Sequence, residues 1–201
     1  ALSSAASDVY KRQMMGTGRI HMYYGDGKGK TTAAVGQAVR AAGYGLQVLF
    51  FQFLKDNSSN ERKILEAVPG ITCLPGRDQV KFVSRMNGDE KAELRHYNNK
   101  ALDEIVKFCT NFDVLVLDEA LCAIHLNVLS EEKIRSFLEH KPRGLEVILT
   151  GHEVSQDMLD LADYATMMMK VKHPYDRKVM AREGIESVSY THLTLPTIRL
   201  V

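Results

Sequence analysis

The stretch "RIHMYYGDGKGKTTAAVGQAVRAA", residues 19–42, decides the fold. It begins with an apolar run of strand length, continues through a glycine-rich turn, and ends in a run of small residues typical of a helix packed closely on a sheet. A strand, a glycine-rich turn and a helix N-terminus that begins near Lys30 and Thr31 together indicate a phosphate-binding loop. The usual pattern G-x-x-x-x-G-K-[ST] would begin at position 24, where Tyr24 stands, so this loop is one residue short.

The loop carries the chemical groups that a triphosphate needs. Its three glycines, at alternate positions, are expected to reach positive φ angles and turn successive N–H groups toward an anion. Lys30 is expected to neutralise phosphate charge, and the Thr31 hydroxyl to ligate Mg²⁺ or Mn²⁺. A Gly/Lys-rich surface turn is the alternative, which the strand and helix around the loop disfavour. The residues assigned to the nucleotide here are Gly25, Asp26, Gly27, Lys28, Gly29, Lys30, Thr31 and Thr32.

A second segment, "DVLVLDEA" at residues 113–120, ends a buried type of strand in two acids, Asp118 and Glu119. Carboxylates at the end of a strand beside a phosphate loop hold Mg²⁺ or its water ligands in nucleotide-binding proteins. Taken alone, these acids could instead cap a solvated helix. With the phosphate loop they predict a site for a nucleotide and a divalent cation.

The rest of the chain alternates short apolar runs with longer amphipathic ones. Several apolar runs are continuous rather than alternating, as expected for parallel strands covered on both faces. We predict an α/β fold class: a single doubly wound, mostly parallel sheet with helices on both faces, of the P-loop nucleotide-binding, RecA-like kind. The predicted strands are "RIHMYY", "QVLFFQFL", "ITCL", "DVLVLD", "EVILTG" and "TMMMKVK", and the predicted helices span residues 31–42, 60–67, 89–109, 130–139 and 155–162.

Both ends of the chain differ from the remainder. Residues 1–13 and 187–201 match no helix or strand signal that continues into their neighbours, and they resemble translated adapter sequence. We therefore expect non-native tails around a single domain at residues 14–186. The tails hold three of the 26 basic residues and one of the 25 acidic ones, which leaves 23 and 24 and a net charge of −1. This balance disfavours a nucleic-acid partner.

Composition favours a soluble, cytoplasmic protein. No apolar run approaches the roughly 20 residues of a membrane span, and the chain shows no signal-peptide pattern, so we expect no membrane partner. Cys73, Cys109 and Cys122 are scattered without C-x-x-C spacing, which favours small buried thiols in a reducing compartment.

Five segments together carry a family resemblance: "GDGKGKTTAA" (25–34), "QFLK" (52–55), "NERKILE" (60–66), "VLDEA" (116–120) and "LTGHEVSQDMLDLADYATMMMKVKHPYDRKVMAREGIE" (149–186). Between residues 18 and 186 the sequence resembles the ATP:corrinoid adenosyltransferases, the cob(I)yrinic acid a,c-diamide adenosyltransferase family of cobalamin assimilation. In that family a Co(I) corrinoid attacks the 5′ carbon of ATP, forms a Co–C bond and expels triphosphate.

The resemblance implies how ATP and its partners are arranged. ATP would lie along the loop in the reverse sense to ordinary P-loop proteins, and we hypothesise that the short loop and Asp26 reshape the anion site for that reversed triphosphate. It also implies a corrinoid substrate, either cobalamin or cobyrinic acid a,c-diamide, an electron-donating flavoprotein reductase and a homodimer.

The resemblance assigns further site residues. Thr31 and Glu119 would hold the metal, with Asp118 as the neighbouring acid. Five residues would face the nucleotide, although a solvated helix start is the alternative for them: Gln52, Lys55, Asn60, Glu61 and Arg62.

Two loop positions, Val80 and Phe82, match those where the family places bulky groups against the lower face of the corrin. Such groups leave the cobalt four-coordinate and easier to reduce. Near the end of the segment, Lys172, His173 and Tyr175 would close the site or form the dimer contact.

Two other classes of function stay open at the sequence level. A P-loop kinase or ATPase would use the same loop with an arginine such as Arg77, Arg85 or Arg177, and would release phosphate rather than triphosphate. A non-catalytic module that binds a nucleotide or a corrinoid would hold its ligand without turnover.

Overall fold

Six parallel strands form one sheet in the computed structural model, which describes residues 16–179, 181–182 and 184–185. The two predicted tails lie outside the described residues. Every pairing in the sheet is parallel, and the strand order is β3-β2-β4-β5-β1-β6. The strands are β1 (Ile20–Tyr24), β2 (Val48–Gln52), β3 (Ile71–Cys73), β4 (Val114–Asp118), β5 (Glu146–Thr150) and β6 (Tyr164–Met167).

Helices cover both faces of the sheet, which confirms the predicted fold class. On one face α1 and α2 pack against one set of alternate strand residues, which includes Val48 and Phe50. On the other face α3 to α6 pack against the intervening set, which includes Leu49 and Phe51. Within the described residues, no helix has the length and apolar character needed to cross a membrane. The helices are α1 (Lys30–Tyr44), α2 (Asn60–Leu65), α3 (Gly88–Phe108), α4 (Ala120–His125), α5 (Glu131–His140) and α6 (Gln156–Leu159).

The first helix, α1, lies close to the sheet because its inner face is made of small residues. Ala34, Ala38 and Ala41 recur at helical spacing, and all three are buried against the strands. Gly29 precedes the helix with φ +114° and Gly45 ends it with φ +96°, conformations that favour glycine. The sequence from 25 to 45 therefore fixes both the start of α1 and its distance from the sheet.

Two predicted elements differ most in their bounds, and one helix was not predicted. The strand β6 begins at Tyr164, before the predicted run at 166–172, because Asp163 pairs with Ile20 of β1 through both its side chain and its amide. The last predicted helix, 155–162, is shortened to α6. The helix α4 was not predicted, because Glu119 alone separates it from β4 and six residues give a weak periodic signal.

The long segment between β3 and α3, residues 74–87, is held by a few specific contacts. Val83 is buried and begins a short 3₁₀ turn, Val83–Arg85. Asn87 then caps α3 through its side chain, in a reciprocal pair with Glu90. These contacts place Phe82, next to the buried Val83, on the side of the sheet that carries α4.

Candidate active site

The predicted phosphate loop lies at the carboxyl end of β1 and is attached to the segment that follows β6. The Gly25 amide donates to the His152 carbonyl at 2.8 Å, and the Gly27 amide donates to the Met168 carbonyl at 2.8 Å. These two amides are therefore engaged within the protein. Amides in the first turn of a helix lack partners within the helix, so those at the start of α1 are the anion donors that the fold supplies.

The glycines of the loop serve different purposes, which corrects one expectation. Gly25 and Gly29 have positive φ angles, but Gly27 does not. A Cβ atom on Gly27 would lie 2.8 Å from the Met168 carbonyl carbon and oxygen and 2.8 Å from the Met169 carbonyl carbon. Gly27 is therefore required by the close approach of the neighbouring backbone rather than by its own conformation.

The charged side chains of the loop point in different directions. The buried Lys30 ammonium donates to the Gly27 carbonyl at 2.6 Å, inside the loop, whereas Lys28 is exposed. Asp26 is also exposed, and its carboxylate accepts a hydrogen bond from the Lys170 amide at 2.9 Å. That hydrogen bond lowers the pKa of Asp26 below its ordinary value. In this structure Asp26 therefore ties the loop to the segment after β6.

Asp118, at the carboxyl end of β4, is the centre of a buried polar cluster. Its side chain is fully buried, and it accepts four hydrogen bonds. Oδ1 accepts from the hydroxyls of Thr31 at 2.9 Å and Thr150 at 2.7 Å. Oδ2 accepts from Gln52 Nε2 at 3.0 Å and Lys55 Nζ at 2.8 Å. The cluster thus joins the phosphate loop to the ends of β2, β4 and β5.

The charges of this cluster stabilise each other. Burial alone would raise the pKa of Asp118, but the Lys55 ammonium and the hydrogen bonds from Lys55, Thr150 and Gln52 lower it overall. Burial opposes the charge of Lys55 in the same way, yet the carboxylates of Asp118 and Glu61 raise its pKa above the ordinary value. Both groups are therefore charged at neutral pH.

Three of the five residues predicted beyond the loop enter this cluster. Glu61 Oε1 accepts from Gln52 Nε2 at 2.9 Å and from Lys55 Nζ at 3.2 Å. Arg62 lies elsewhere, because its guanidinium binds Glu66 and the carbonyls at the end of β3. The Asn60 side-chain oxygen accepts from Lys63 at 3.5 Å and is also not brought into the cluster.

Two residues of the cluster were missed by the sequence analysis. Thr150 donates to Asp118 and accepts from the Glu119 amide at 2.8 Å. Ser59 donates to Gln52 Oε1 at 2.7 Å and orients that amide. A signal for Thr150 was available, because a polar residue ends β5 where the predicted acids end β4, and carboxyl ends of parallel strands lie at the same edge.

A cavity of about 340 Å³ opens beside the cluster and brings Glu119 and Phe82 together. Glu119 is half-buried, with φ +60°, and Phe82 is 39% exposed. Val80 does not line this cavity; it lines a separate hollow of about 250 Å³ with Arg77 and Met86 among others. The lining of the cavity contains both apolar and polar residues, which are Leu54, Lys55, Lys81, Phe82, Val83, Glu119, Cys122, Leu126 and His152.

A larger hollow, of about 520 Å³, lies away from this chemistry. It is lined by residues of α3, such as Tyr97 and Phe108, and by Leu74 and Pro75 after β3. None of the predicted site residues lines it, so its size does not make it the candidate site.

The predicted residues near the end of the chain lie beyond the contact between Lys170 and the loop. Lys172 is exposed and His173 is half-buried. The side chain of Tyr175 lies outside the part that the structure describes. The expected role of Lys172, His173 and Tyr175, to close the site or form the dimer contact, therefore stays a prediction.

The residues present fit a divalent cation that arrives with a nucleotide. Among the residues that the structure describes, no group of three or more His, Cys, Asp or Glu side chains forms a ready-made metal centre. The Thr31 hydroxyl and the Asp118 carboxylate are hard oxygen donors 2.9 Å apart, the kind that Mg²⁺ binds together with phosphate oxygens and water. Thr31 contacts Asp118 rather than Glu119, which faces the cavity.

Comparison with known proteins agrees with this geometry. The family model described as ATP:corrinoid adenosyltransferase BtuR/CobO/CobP matches residues 16–187. The chain belongs to the ATP:corrinoid adenosyltransferase family. The predicted family resemblance is thereby confirmed.

Curated relatives of this adenosyltransferase family cover most of the chain. Corrinoid adenosyltransferase CobA of Salmonella typhimurium is 34% identical over 178 residues, which cover 84% of this chain and 85% of the relative. Corrinoid adenosyltransferase of Escherichia coli K12 is 32% identical over 170 residues, with 84% and 85% covered. The corrinoid adenosyltransferase of Sinorhizobium sp. is 28% identical over 201 residues, with 92% and 90% covered.

Solved structures give more distant similarities. FlaH of Methanocaldococcus jannaschii has a TM-score of 0.48 and 14% identity, and covers 80% of this chain and 76% of that chain. EssC (ATPases 2 and 3) of Geobacillus thermodenitrificans has a TM-score of 0.47 and 14% identity. The match covers 84% of this chain and 35% of the EssC chain.

Proposed function

We propose that this chain transfers the 5′-deoxyadenosyl group of ATP to the Co(I) of a corrinoid and releases triphosphate. The observation that carries the proposal is the 2.9 Å hydrogen bond between Thr31 and Asp118, which joins the phosphate loop to the acidic end of β4 in a chain of this family. A partly apolar cavity, lined by Lys55 and Glu119 among others, lies beside the Asp118 cluster.

The reaction breaks the C5′–O5′ bond of ATP and forms a Co–C bond. Co(I) supplies the electron pair for the new bond, and the triphosphate leaves with the electron pair of the old one. Negative charge therefore increases on the leaving triphosphate, where Lys30 and the amides at the start of α1 can stabilise it. A bound Mg²⁺ or Mn²⁺ ion would neutralise further phosphate charge, held by Thr31 and by Asp118 or Glu119.

The corrinoid would approach through the cavity that contains Phe82. Leu54, Phe82, Val83 and Leu126 are apolar groups of its lining. Apolar groups against the lower face of a corrin exclude water and other axial ligands, which makes reduction to Co(I) easier. We propose Phe82 for this role with its neighbours in the cavity, because Val80 lies in the separate hollow.

The finer properties of the protein are proposals that rest on the family or on the sequence pattern. We propose cobalamin or cobyrinic acid a,c-diamide as the corrinoid, a flavoprotein reductase as the electron donor, and a cytoplasmic homodimer built from one domain at residues 14–186. Lys28, Thr32, Asn60 and Arg62 are retained as proposed nucleotide residues, although Arg62 would have to leave its contacts with β3.

An anaerobic assay tests the proposed function. The protein is mixed with ATP, Mg²⁺ and chemically reduced cob(I)alamin, and the Co(I) absorbance is followed. We expect the absorbance to decay only when ATP and protein are both present, with formation of a light-sensitive alkylcobalamin. Two variants of the loop are compared: Lys30→Met removes the buried loop charge and Lys28→Met the exposed one, and we expect the larger loss of activity in Lys30→Met. Persistence of Co(I) with the wild-type protein would reject the proposal.

A further inference from the structure

Lys55 occupies an unusual position for a nucleotide-binding lysine. Its side chain is only 7% exposed, and its ammonium lies among oxygen atoms of three other side chains. Nζ is 2.8 Å from Asp118 Oδ2, 3.2 Å from Glu61 Oε1 and 3.4 Å from the Thr31 hydroxyl. Two of these partners, Thr31 and Asp118, are the hard donors that fit a divalent cation.

An ammonium and a divalent cation cannot share these donors without strong repulsion. Mg²⁺ binds oxygen at about 2.0–2.1 Å. An ion bound to the Thr31 hydroxyl would therefore lie within a few ångströms of the Lys55 ammonium in its present position. Because the cluster is buried, water screens this repulsion poorly. A divalent cation that binds the Asp118 carboxylate therefore competes with the Lys55 ammonium for its charge.

Without any cation, the cluster would instead be destabilised by its own carboxylates. Asp118 is fully buried, and Glu61 is 25% exposed, so two carboxylates face each other across Lys55 with little water. A buried carboxylate without a counter-charge is strongly destabilising. Some cation must therefore be present both before and after the nucleotide binds.

We propose that Lys55 is the resident counter-ion of the nucleotide-free site, which excludes divalent cations until ATP brings both the cation and a new anionic partner for the ammonium. This inference rests on the proposed function, because it takes the Thr31–Asp118 pair as the site for the cation of a cation–ATP complex. On this account Lys55 moves from Asp118 to the triphosphate when the nucleotide binds. It is a positioning residue that makes cation binding depend on ATP.

The test measures Mn²⁺ binding to the nucleotide-free protein by electron paramagnetic resonance. We expect weak binding to the wild type, and binding at least about tenfold tighter to Lys55→Met, because the carboxylates lose their counter-ion. Lys55→Arg keeps the charge and should behave like the wild type. The matched control is Lys81→Met, which removes a charge from the lining of the same cavity but from a residue paired with the surface acid Glu90. Equal Mn²⁺ affinity in wild type and Lys55→Met would overturn the proposal.

A second measurement uses the wild type alone, in case Lys55→Met does not fold. Mn²⁺ without nucleotide should leave the Tm unchanged, whereas Mn²⁺ with ATP should raise it. A rise in Tm with Mn²⁺ alone would contradict the inference. Neither measurement contains a corrinoid, so failure of adenosyl transfer would reject the proposed function without affecting this result.

Discussion

At the scale of single residues, the site depends on how Asp118 is held. Its carboxylate accepts hydrogen bonds from Thr31, Gln52, Lys55 and Thr150, which come from four different parts of the chain. A buried carboxylate is tolerated only when it is paired in this way. The consequence for function is that the Thr31 hydroxyl is fixed relative to three strand ends before any ligand binds.

Thr150 gives a direct test of this network. Thr150→Val keeps the shape of the side chain but removes the donor to Asp118 and the acceptor for the Glu119 amide, both in a buried setting. We expect the free energy of unfolding to fall by about 1–3 kcal/mol. Urea denaturation measures the loss, and Thr150→Ser, which keeps the hydroxyl, should recover most of it. A valine variant as stable as the wild type would show that the network is not required.

The same residues show how far sequence reasoning reaches. Lys30, Thr31 and Asp118 stand in short segments whose order along the chain predicts their chemistry. In the structure Thr31 donates to Asp118, and Lys30 donates to the Gly27 carbonyl inside the loop. Thr150 is marked only by its place at the end of an apolar strand and Ser59 only by its place before a helix, and a single hydroxyl is common at both positions. Their roles come from contacts that only the folded sheet creates.

At the scale of elements, the phosphate loop and the segment after β6 form one unit. The Gly27 amide donates a hydrogen bond to the Met168 carbonyl, and the Asp26 carboxylate accepts one from the Lys170 amide. The strand β6 ends at Met167, earlier than the apolar pattern predicts, because the next residues leave the sheet to contact the loop. Apolar methionines in that run gave a strand signal in sequence, although their backbone serves the loop.

Substitution of two glycines separates this contact from a general effect of removing glycine. In Gly27→Ala the new Cβ would meet the Met168 and Met169 backbone at 2.8 Å and displace the loop. We expect about tenfold weaker ATP binding by calorimetry, from roughly 1–3 kcal/mol of overpacking. In Gly36→Ala, within α1, the Cβ meets nothing within 4 Å. That variant should bind ATP normally and gain about 0.5–1 kcal/mol of stability. Equal ATP affinity in both variants would argue against the loop contact.

At the scale of the whole molecule, the carboxyl ends of four neighbouring strands lie side by side. These strands are β2, β4, β5 and β1. Gln52 is the register partner of Asp118, and Thr150 is the register partner of Tyr23, two residues before the loop begins at Gly25. At the other ends of the strands, their amino ends, Glu146 is the first residue of β5 and joins it to β1. It accepts from the Arg19 amide at 2.6 Å and lies 2.5 Å from His21 Nε2, both next to or within β1. The polar site and this anchor therefore lie at opposite ends of the same strands.

The anchor predicts a dependence of stability on pH. Burial would raise the pKa of Glu146, but hydrogen bonds with His21 and the Arg19 amide lower it overall. A lowered pKa means that the stabilisation is complete above the ordinary value of about 4.3 and is lost as pH falls through the folded value. We therefore expect Glu146→Gln to be less stable than wild type at about pH 6, and the difference to shrink toward about pH 3. Urea midpoints at several pH values measure it, and a constant difference would contradict the assignment.

The measurement that tests the account most directly is the identity of the phosphate product in the cob(I)alamin reaction, followed by ³¹P nuclear magnetic resonance. If the loop and the Asp118 cluster stabilise a leaving triphosphate, one triphosphate should appear for each Co–C bond formed, and no ADP. Formation of ADP and phosphate while Co(I) persists would instead assign this site to phosphoryl transfer, and would contradict the account.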